Sequence, residues 1–153
     1  MSPTERDDDP VEAVRERLLA DHGPLFDAVD ACADAVAARW ETTGPDGRPA
    51  TADRDAVVPA MCGALAAADA LDRLPGLLAT GADALGVDLP ASPVAAPPYL
   101  VVTATGPVVR ATLPGAGRLV VSVRVFAVDR AGEEPAYRRI DATAREALSV
   151  ELR

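Results

Sequence analysis

The chain has 153 residues, a formal net charge of −9 at pH 7 and only 3% aromatic residues, which is typical of one domain, residues 1–153, with a core of small aliphatic side chains. No apolar run reaches the roughly 18 residues that a membrane-spanning helix needs, and the two cysteines lack the CxxC spacing of a zinc or redox site. The polar, acidic start of the chain also lacks the pattern of a secretory signal, so we expect a cytoplasmic protein that does not bind a membrane.

Helical periodicity extends over residues 10–86, after an acidic arm, residues 1–9, that we expect to be disordered. Apolar residues at spacings of three and four predict about four alanine-rich helices, which begin at Val11, near Leu25, after a cap at Thr51 or Asp53, and at about Pro75. Asp9 is predicted to cap the first helix, because a carboxylate there accepts hydrogen bonds from the first backbone N–H groups.

Residue types that carry catalysis are scarce in this helical part. The only histidine, His22, lies at a predicted helix end, where we expect a cationic imidazole to interact with the terminal carbonyls. Both cysteines lie on apolar stripes and are predicted to be small core residues. Asp27, Asp30 and Asp34 share one helix face, which we expect to be solvated, because the Glu-x-x-His pairs of a carboxylate-bridged metal site are missing. We predict no catalytic residue, no cofactor and no metal.

A proline-rich connector, residues 87–98, separates the helices from a region whose periodicity is two. In residues 99–153 the Val-rich alternation predicts antiparallel strands at 99–105, 108–113 and 119–128, with a fourth at 137–140. A short C-terminal helix, capped by Asp141 and ending at Leu152, is expected after them. The predicted fold is therefore α+β, with the helices packed on one face of a C-terminal antiparallel meander of three to four strands.

The register of the meander follows from its apolar residues. Pairing Thr105 with Val108 and Leu113 with Leu119 makes one face of the sheet continuously apolar, with Leu, Val and Ala residues from all three strands. A slip of one residue would break this continuity. We expect the apolar face to contact the helices.

The opposite face of the predicted sheet is the candidate functional surface. Its candidate interaction residues are Tyr99, Thr103, Arg110, Thr112, Ser122, Arg124 and Phe126. Charge supports this choice, because residues 1–98 hold 7 Arg and 18 acidic residues, net −11, whereas residues 99–153 hold 8 Arg and 6 acidic residues, net +2. A basic surface on an acidic chain predicts an anionic partner.

Several interpretations of this face remain open. The arginines either pair with aspartates of the chain's own helices or contact a protein partner, and the apolar positions favour either a homodimer or covering by residues 137–152. Nucleic-acid binding is the third hypothesis and is disfavoured, because counterion release weakens as salt rises. The leading hypothesis is a non-enzymatic protein–protein interaction through this face. The alternative is a small-ligand-binding domain or an enzyme, with a pocket between sheet and helices near Trp40 and the connector.

The amino-acid usage resembles that of proteins from extremely halophilic archaea. The chain contains no Lys, Asn or Gln, all 15 of its basic residues are Arg, and 24 residues are acidic. At about 1 M salt the Debye length is roughly 3 Å, so carboxylates cover a surface with little self-repulsion. Residues 97–130, with Pro97-Pro98-Tyr99, the Gly106-Pro107 turn and arginine-bearing strands, also resemble a segment of small haloarchaeal proteins of unknown function. That resemblance implies no activity.

Overall fold

The computed structural model describes residues 9–45, 47–130, 132–140 and 142–153. Most of the predicted acidic arm and Asp141, the predicted cap of the C-terminal helix, therefore lie outside the described residues. The α-helices, in chain order, are α1 (Pro10–Asp21), α2 (Gly23–Ala37), α3 (Val58–Ala67), α4 (Ala70–Arg73), α5 (Gly76–Ala84) and α6 (Ala144–Ala147). The strands are β1 (Thr42–Thr43), β2 (Pro49–Thr51), β3 (Leu100–Thr103), β4 (Gly106–Leu113), β5 (Gly117–Val123), β6 (Phe126–Asp129), β7 (Ala136–Arg139) and β8 (Leu148–Leu152).

The N-terminal helices begin where the sequence predicts them. The Asp9 carboxylate accepts hydrogen bonds from the backbone N–H groups of Val11 (3.1 Å) and Glu12 (3.3 Å), which confirms the predicted cap. Asp53, and not Thr51, caps the 3-10 turn Arg54–Ala56 that leads into α3. Beyond α3 the chain turns sharply at Asp69, whose φ of 60° is left-handed and ends the helix, so that α4 begins one residue later.

The fold is α+β, as predicted, but the strands form two sheets where a single meander was expected. One sheet has the order β1-β2-β7-β6 and the other the order β3-β4-β5-β8, and every pairing in both is antiparallel. The predicted strand 119–128 is divided between them. Its first part is β5, and its last part is β6, which pairs with β7.

The division occurs at Arg124 and Val125. The N–H of Arg124 donates to the carbonyl of Ala147, and the N–H of Val125 donates to the carbonyl of Thr105, so neither residue continues the ladder of β5. Val125 and Phe126 are both buried although they are adjacent in sequence. Two adjacent buried residues break the period of two, and the chain accommodates them by changing sheets.

The C-terminal segment is mostly strand, which corrects the predicted helix ending at Leu152. The helix α6 has a single turn, capped by the Thr143 hydroxyl with Glu146 completing a capping box. The strand β8 then pairs with β5 from Leu119↔Leu152 to Val123↔Leu148. The segment therefore extends the sheet at its edge and does not cover its face.

The registers of both predicted hairpins are shifted. The structure pairs Thr103 with Gly106 and Leu113 with Gly117, where Thr105–Val108 and Leu113–Leu119 pairs were predicted. Both shifts are even numbers of residues, so every side chain keeps its predicted face. Gly106 has a φ of 141°, and a Cβ there would lie 2.0 Å from the carbonyl oxygen of Val123, so only glycine fits.

The core lies between the helices and one face of the β3-β4-β5-β8 sheet. The helix α5 packs on β4 and β5, α1 packs on α5 and β8, and α3 packs on β3. The sheet contributes alternate buried residues, which are Leu100, Val109, Ala111, Leu113, Leu119, Val121, Val123, Leu148 and Val150. No helix within the described part of the chain has the length and apolar character to cross a bilayer.

Candidate functional site: an open sheet face with unpaired arginines

The side of the β3-β4-β5-β8 sheet that points away from the helices is the open face. It consists of Val101, Thr103, Val108, Arg110, Thr112, Arg118, Val120, Ser122, Ser149 and Glu151. These residues alternate with the buried ones along each strand, and all are exposed or half-buried. The open face thus combines aliphatic, hydroxyl and guanidinium side chains on four paired strands.

Four of the seven predicted surface residues belong to the open face. Arg110 and Thr112 are exposed on β4, and Ser122 is half-buried on β5. Thr103 has a local structural role, because its hydroxyl donates to the carbonyl of Gly106 (2.8 Å) and accepts from the N–H of Thr105 (3.2 Å) within the β3–β4 turn. The Thr103 hydroxyl therefore stabilises the β3–β4 hairpin.

The other three predicted residues have different positions. Tyr99 is half-buried immediately before β3, and Arg124 is exposed immediately after β5. Phe126 is 0% exposed, and its ring centroid lies 5.4 Å from that of Trp40. The prediction that Phe126 belongs to the surface is wrong, because the chain has changed sheets two residues before it.

Two arginines of the open face, and Arg124 directly after β5, lack an acidic partner among the described residues. Arg110, Arg118 and Arg124 form no ion pair with any carboxylate in the described ranges. The one acidic residue of the face, Glu151, binds Arg153 at 2.9 Å. The open face is consequently a basic patch on a chain of net charge −9.

Other arginines of the C-terminal region do pair with the chain's own helices. Arg139 binds Asp30 at 2.5 Å and Asp34 at 3.0 Å, and Arg145 binds Glu16 at 2.6 Å. The hydrogen bond from Arg145 lowers the pKa of the Glu16 carboxyl group. The self-pairing interpretation is therefore right for these two arginines, whereas the arginines of the open face are not paired in this way.

Asp30 and Asp34 also differ from their prediction as a purely solvated acidic face, because they hold Arg139. Among the residues that the structure describes, no three His, Cys, Asp or Glu side chains are grouped closely enough to hold a metal ion. Both cysteines are unpaired thiols. Cys32 is buried, as predicted, and burial raises the pKa of its thiol.

His22 does not act as a cationic helix cap. Its Nε2 atom lies 2.8 Å from the Thr80 hydroxyl of α5, and partial burial lowers the pKa of the imidazole. A lowered pKa favours the neutral ring at pH 7. The His22 side chain thus joins α5 to the junction of α1 and α2 through a neutral hydrogen bond.

A cavity of about 210 Å³ lies where the connector crosses the end of the open face. We call it the connector pocket, and its lining includes Leu89, Pro90, Pro98, Tyr99, Arg110, Thr112 and Arg118. The pocket was predicted between sheet and helices near Trp40 and the connector, and the structure places this cavity beside the connector but away from Trp40. Trp40 packs on Phe126 and donates its indole N–H to the carbonyl of Ala56 (2.9 Å), outside the lining of the connector pocket.

Arg118 and the strand β8 are the parts of the site that the sequence analysis missed. The predicted strand began at Leu119, so Arg118 lay outside it, whereas in the structure Arg118 pairs with Thr112. The alternation of Leu148, Val150 and Leu152 with polar residues was a usable signal for β8. The prediction instead took Asp141 as the cap of a helix that continues to Leu152.

Fold and site together define an α+β protein with an open, basic sheet face and a small cavity at one end of that face. The chain belongs to the family described as "Domain of unknown function (DUF7988)", whose model matches residues 12–153. Neither a curated protein nor a solved structure matches the chain. The family description names no activity, so the function has to be argued from the open face itself.

Proposed function

We propose that this protein is a non-enzymatic interaction protein that binds an acidic protein partner through its open face. The observation that carries the proposal is the set of three arginines, Arg110, Arg118 and Arg124, that pair with no described carboxylate although the chain has 24 acidic residues. Guanidinium groups bind carboxylates through two parallel hydrogen bonds, and complementary charge selects the partner and speeds its association.

The charge of the open face favours an acidic protein over a second copy of this chain. A twofold dimer brings the same patch of each subunit together, so the three arginines would face their own counterparts. Like charges in contact oppose such pairing unless salt screens them. The aliphatic residues Val101, Val108 and Val120 then supply the apolar centre of a heterologous interface, with the arginines around it.

Nucleic acid is a weaker candidate for this face. Sequence-tolerant binding of single strands needs aromatic side chains on which bases stack. The two aromatic residues of the predicted surface do not lie on the open face: Phe126 is buried in the other sheet, and Tyr99 is half-buried beside the connector. The open face thus offers guanidinium groups without a stacking platform.

A charge-reversal pair tests the proposal. The double variant Arg110→Glu/Arg124→Glu is compared with Arg130→Glu, which changes an exposed arginine after β6, outside the open face. The probe is a fluorescent oligo-glutamate peptide, and its Kd is measured by anisotropy at fixed salt. We expect the double variant to weaken binding by about tenfold or more, equivalent to roughly 1.4 kcal/mol, while Arg130→Glu retains most of the affinity. Equal losses in both variants would refute a site on the open face.

We further infer that the protein works in the cytoplasm of a halophilic archaeon, at high salt. Three observations support this inference. All Lys+Arg residues of the chain are arginine, acidic residues outnumber basic ones, and most aspartates within α2 and on either side of α3 are exposed. Circular dichroism during dialysis from 3 M potassium chloride provides the test. The helical signal should be lost below roughly 1 M salt as screening fades. A cooperative fold that persists in dilute buffer would remove this inference and leave the open-face proposal in place.

A further inference from the structure

The connector pocket positions a guanidinium whose outer nitrogens are available. The Nε–H of Arg110 donates to the carbonyl of Pro98 at 3.1 Å, which fixes this side chain against the connector. Its two Nη groups form no hydrogen bond with any described residue. A guanidinium held in this way presents a pair of parallel donors, the arrangement that a carboxylate accepts.

A second guanidinium lines the same pocket. Arg118 pairs across the sheet with Thr112, two residues beyond Arg110 on β4, so the two arginines are diagonal neighbours on one face. Diagonal neighbours lie about 7–8 Å apart, within reach of long side chains. With no described carboxylate between them, two like charges converge on one cavity. An anion in the pocket would relieve this repulsion, and Thr112 adds a hydroxyl group beside it.

The remaining walls of the pocket are apolar. They come from the connector, through Leu89, Pro90 and Pro98, and from the half-buried Tyr99. A volume of about 210 Å³ is below the roughly 300–1,000 Å³ of pockets for drug-sized ligands. A cavity of this size favours a small ligand over a drug-sized one.

We propose that the connector pocket binds a small free carboxylic acid with a short aliphatic body. The carboxylate contacts Arg110 and Arg118, and the aliphatic part contacts the connector and Tyr99. An inorganic anion would leave the apolar walls empty, and a neutral aliphatic molecule would leave both arginines without a counter-charge. Arg110 and Arg118 also belong to the arginines proposed to bind a protein partner, so the two proposals share these residues and are tested with different probes.

Titration of the full chain with butanoate, followed by ¹H–¹⁵N NMR, tests the proposal. We expect saturable shifts confined to the amides of Tyr99, Thr112 and their neighbours. Butanamide, which has the same shape without the charge, serves as the matched ligand and should give no saturable shift. Formate, which has the charge without the body, should bind at least tenfold more weakly than butanoate.

Two variants of Arg118 and one control variant assign the binding to the pocket. Arg118→Gln should weaken butanoate at least tenfold, and Arg118→Lys should recover only part of that loss, because an ammonium lacks the paired donors of a guanidinium. Arg124→Gln, directly after β5 and outside the pocket lining, should retain the wild-type affinity. The spectrum of each variant also reports whether it is folded.

The remaining outcomes overturn the inference. Equal binding of formate and butanoate would indicate a site for any anion, and equal binding of butanamide would indicate an apolar cavity only. Binding of an oligo-glutamate peptide at the same amides without any binding of butanoate would assign the pocket to a protein partner. Because the butanoate titration contains no peptide, its failure does not affect the test of the open face with oligo-glutamate.

Discussion

The two sheets place arginine in opposite environments. On β7, Arg139 is only 6% exposed, and its three nitrogens donate to the carboxylates of Asp30 and Asp34 and to the backbone carbonyls of Val125, Ile140 and Asp30. On β5, Arg118 is exposed and has no acidic partner within the described residues. The same side chain is thus a buried structural cation in one sheet and a solvated one in the other.

The difference shows that the packed helix, more than the strand, determines what an arginine does. The helix α2 contacts β7 and supplies both aspartates, whereas no helix of the described ranges covers the open face. Burying a guanidinium is costly unless carboxylates and carbonyls replace its water. Arg139 meets that condition and connects α2 to the segment between the two sheets. Arg118 keeps its water, and so it remains available to a partner or ligand.

The largest expected effect is the loss of Arg139. We expect Arg139→Met to lower the free energy of unfolding by about 3 kcal/mol, because three backbone carbonyls and two carboxylates lose their common donor. Arg139→Lys should lose less, since an ammonium reaches only part of this set. Urea unfolding at constant salt measures both. Arg118→Met is the matched control and should change stability by no more than about 0.5 kcal/mol. Similar losses at both positions would contradict the comparison.

A smaller effect is expected from the aspartates that hold Arg139. Their side chains are 52% and 68% exposed, so water replaces part of each lost interaction. The double variant Asp30→Asn/Asp34→Asn should therefore lose about 1 kcal/mol in the same urea experiment. Asp27→Asn, on the same helix but with no arginine bound to it, should leave the midpoint unchanged. An unaltered double variant would mean that the backbone carbonyls alone retain Arg139.

The sequence predicted the fold class and the buried face of each strand correctly, but it did not predict which strands pair in which sheet. The alternation in β4 and β5 identified which residues face the helices, because a period of two survives a register shift by an even number of residues. It could not distinguish one long strand from two strands in different sheets. That division depends on long-range hydrogen bonds, such as those of Arg124 with Ala147 and of Val125 with Thr105, which leave no periodic trace.

For the candidate site, the sequence located Arg110, Thr112 and Arg124 and missed Arg118. Charge asymmetry directed attention to the C-terminal region without any knowledge of the register, because it depends only on composition. Composition could not predict which arginines form ion pairs, because Arg139 and its two aspartates are more than 100 residues apart in the chain. Phe126 was misplaced for the same reason as the strand that contains it.

His22 is a further partly buried basic residue, and unlike arginine it can lose its charge near neutral pH. Partial burial lowers its pKa below the usual 6.5, although Asp21 opposes this and Arg73 adds to it. A histidine with a lowered pKa in the folded state binds fewer protons than in the unfolded state. Its contribution to stability is therefore complete above about pH 6.5 and decreases as pH falls below that value.

Thermal unfolding between pH 7.5 and pH 5.5 measures this effect. We expect wild-type Tm to fall more over this range than the Tm of His22→Gln, which keeps a hydrogen-bonding group for Thr80 without the titration. The destabilisation that His22 causes over this pH range should be smaller than the destabilisation caused by Asp30→Asn/Asp34→Asn. A variant that loses as much Tm as the wild type would assign the pH dependence to the carboxylates instead.

The smallest expected effect belongs to the open face. We expect Arg110→Gln/Arg118→Gln to change the free energy of unfolding by at most about 0.5 kcal/mol at high salt. At lower salt the variant should gain relative to the wild type, because two converging like charges have been removed and screening no longer hides their repulsion. The measurement is a urea midpoint for both proteins at two salt concentrations that support the fold. A loss resembling that of Arg139→Met would show that these arginines have structural partners. A small or favourable change in stability, together with weaker binding of butanoate or oligo-glutamate, would show that the two arginines serve recognition. The fold would then not depend on their charges.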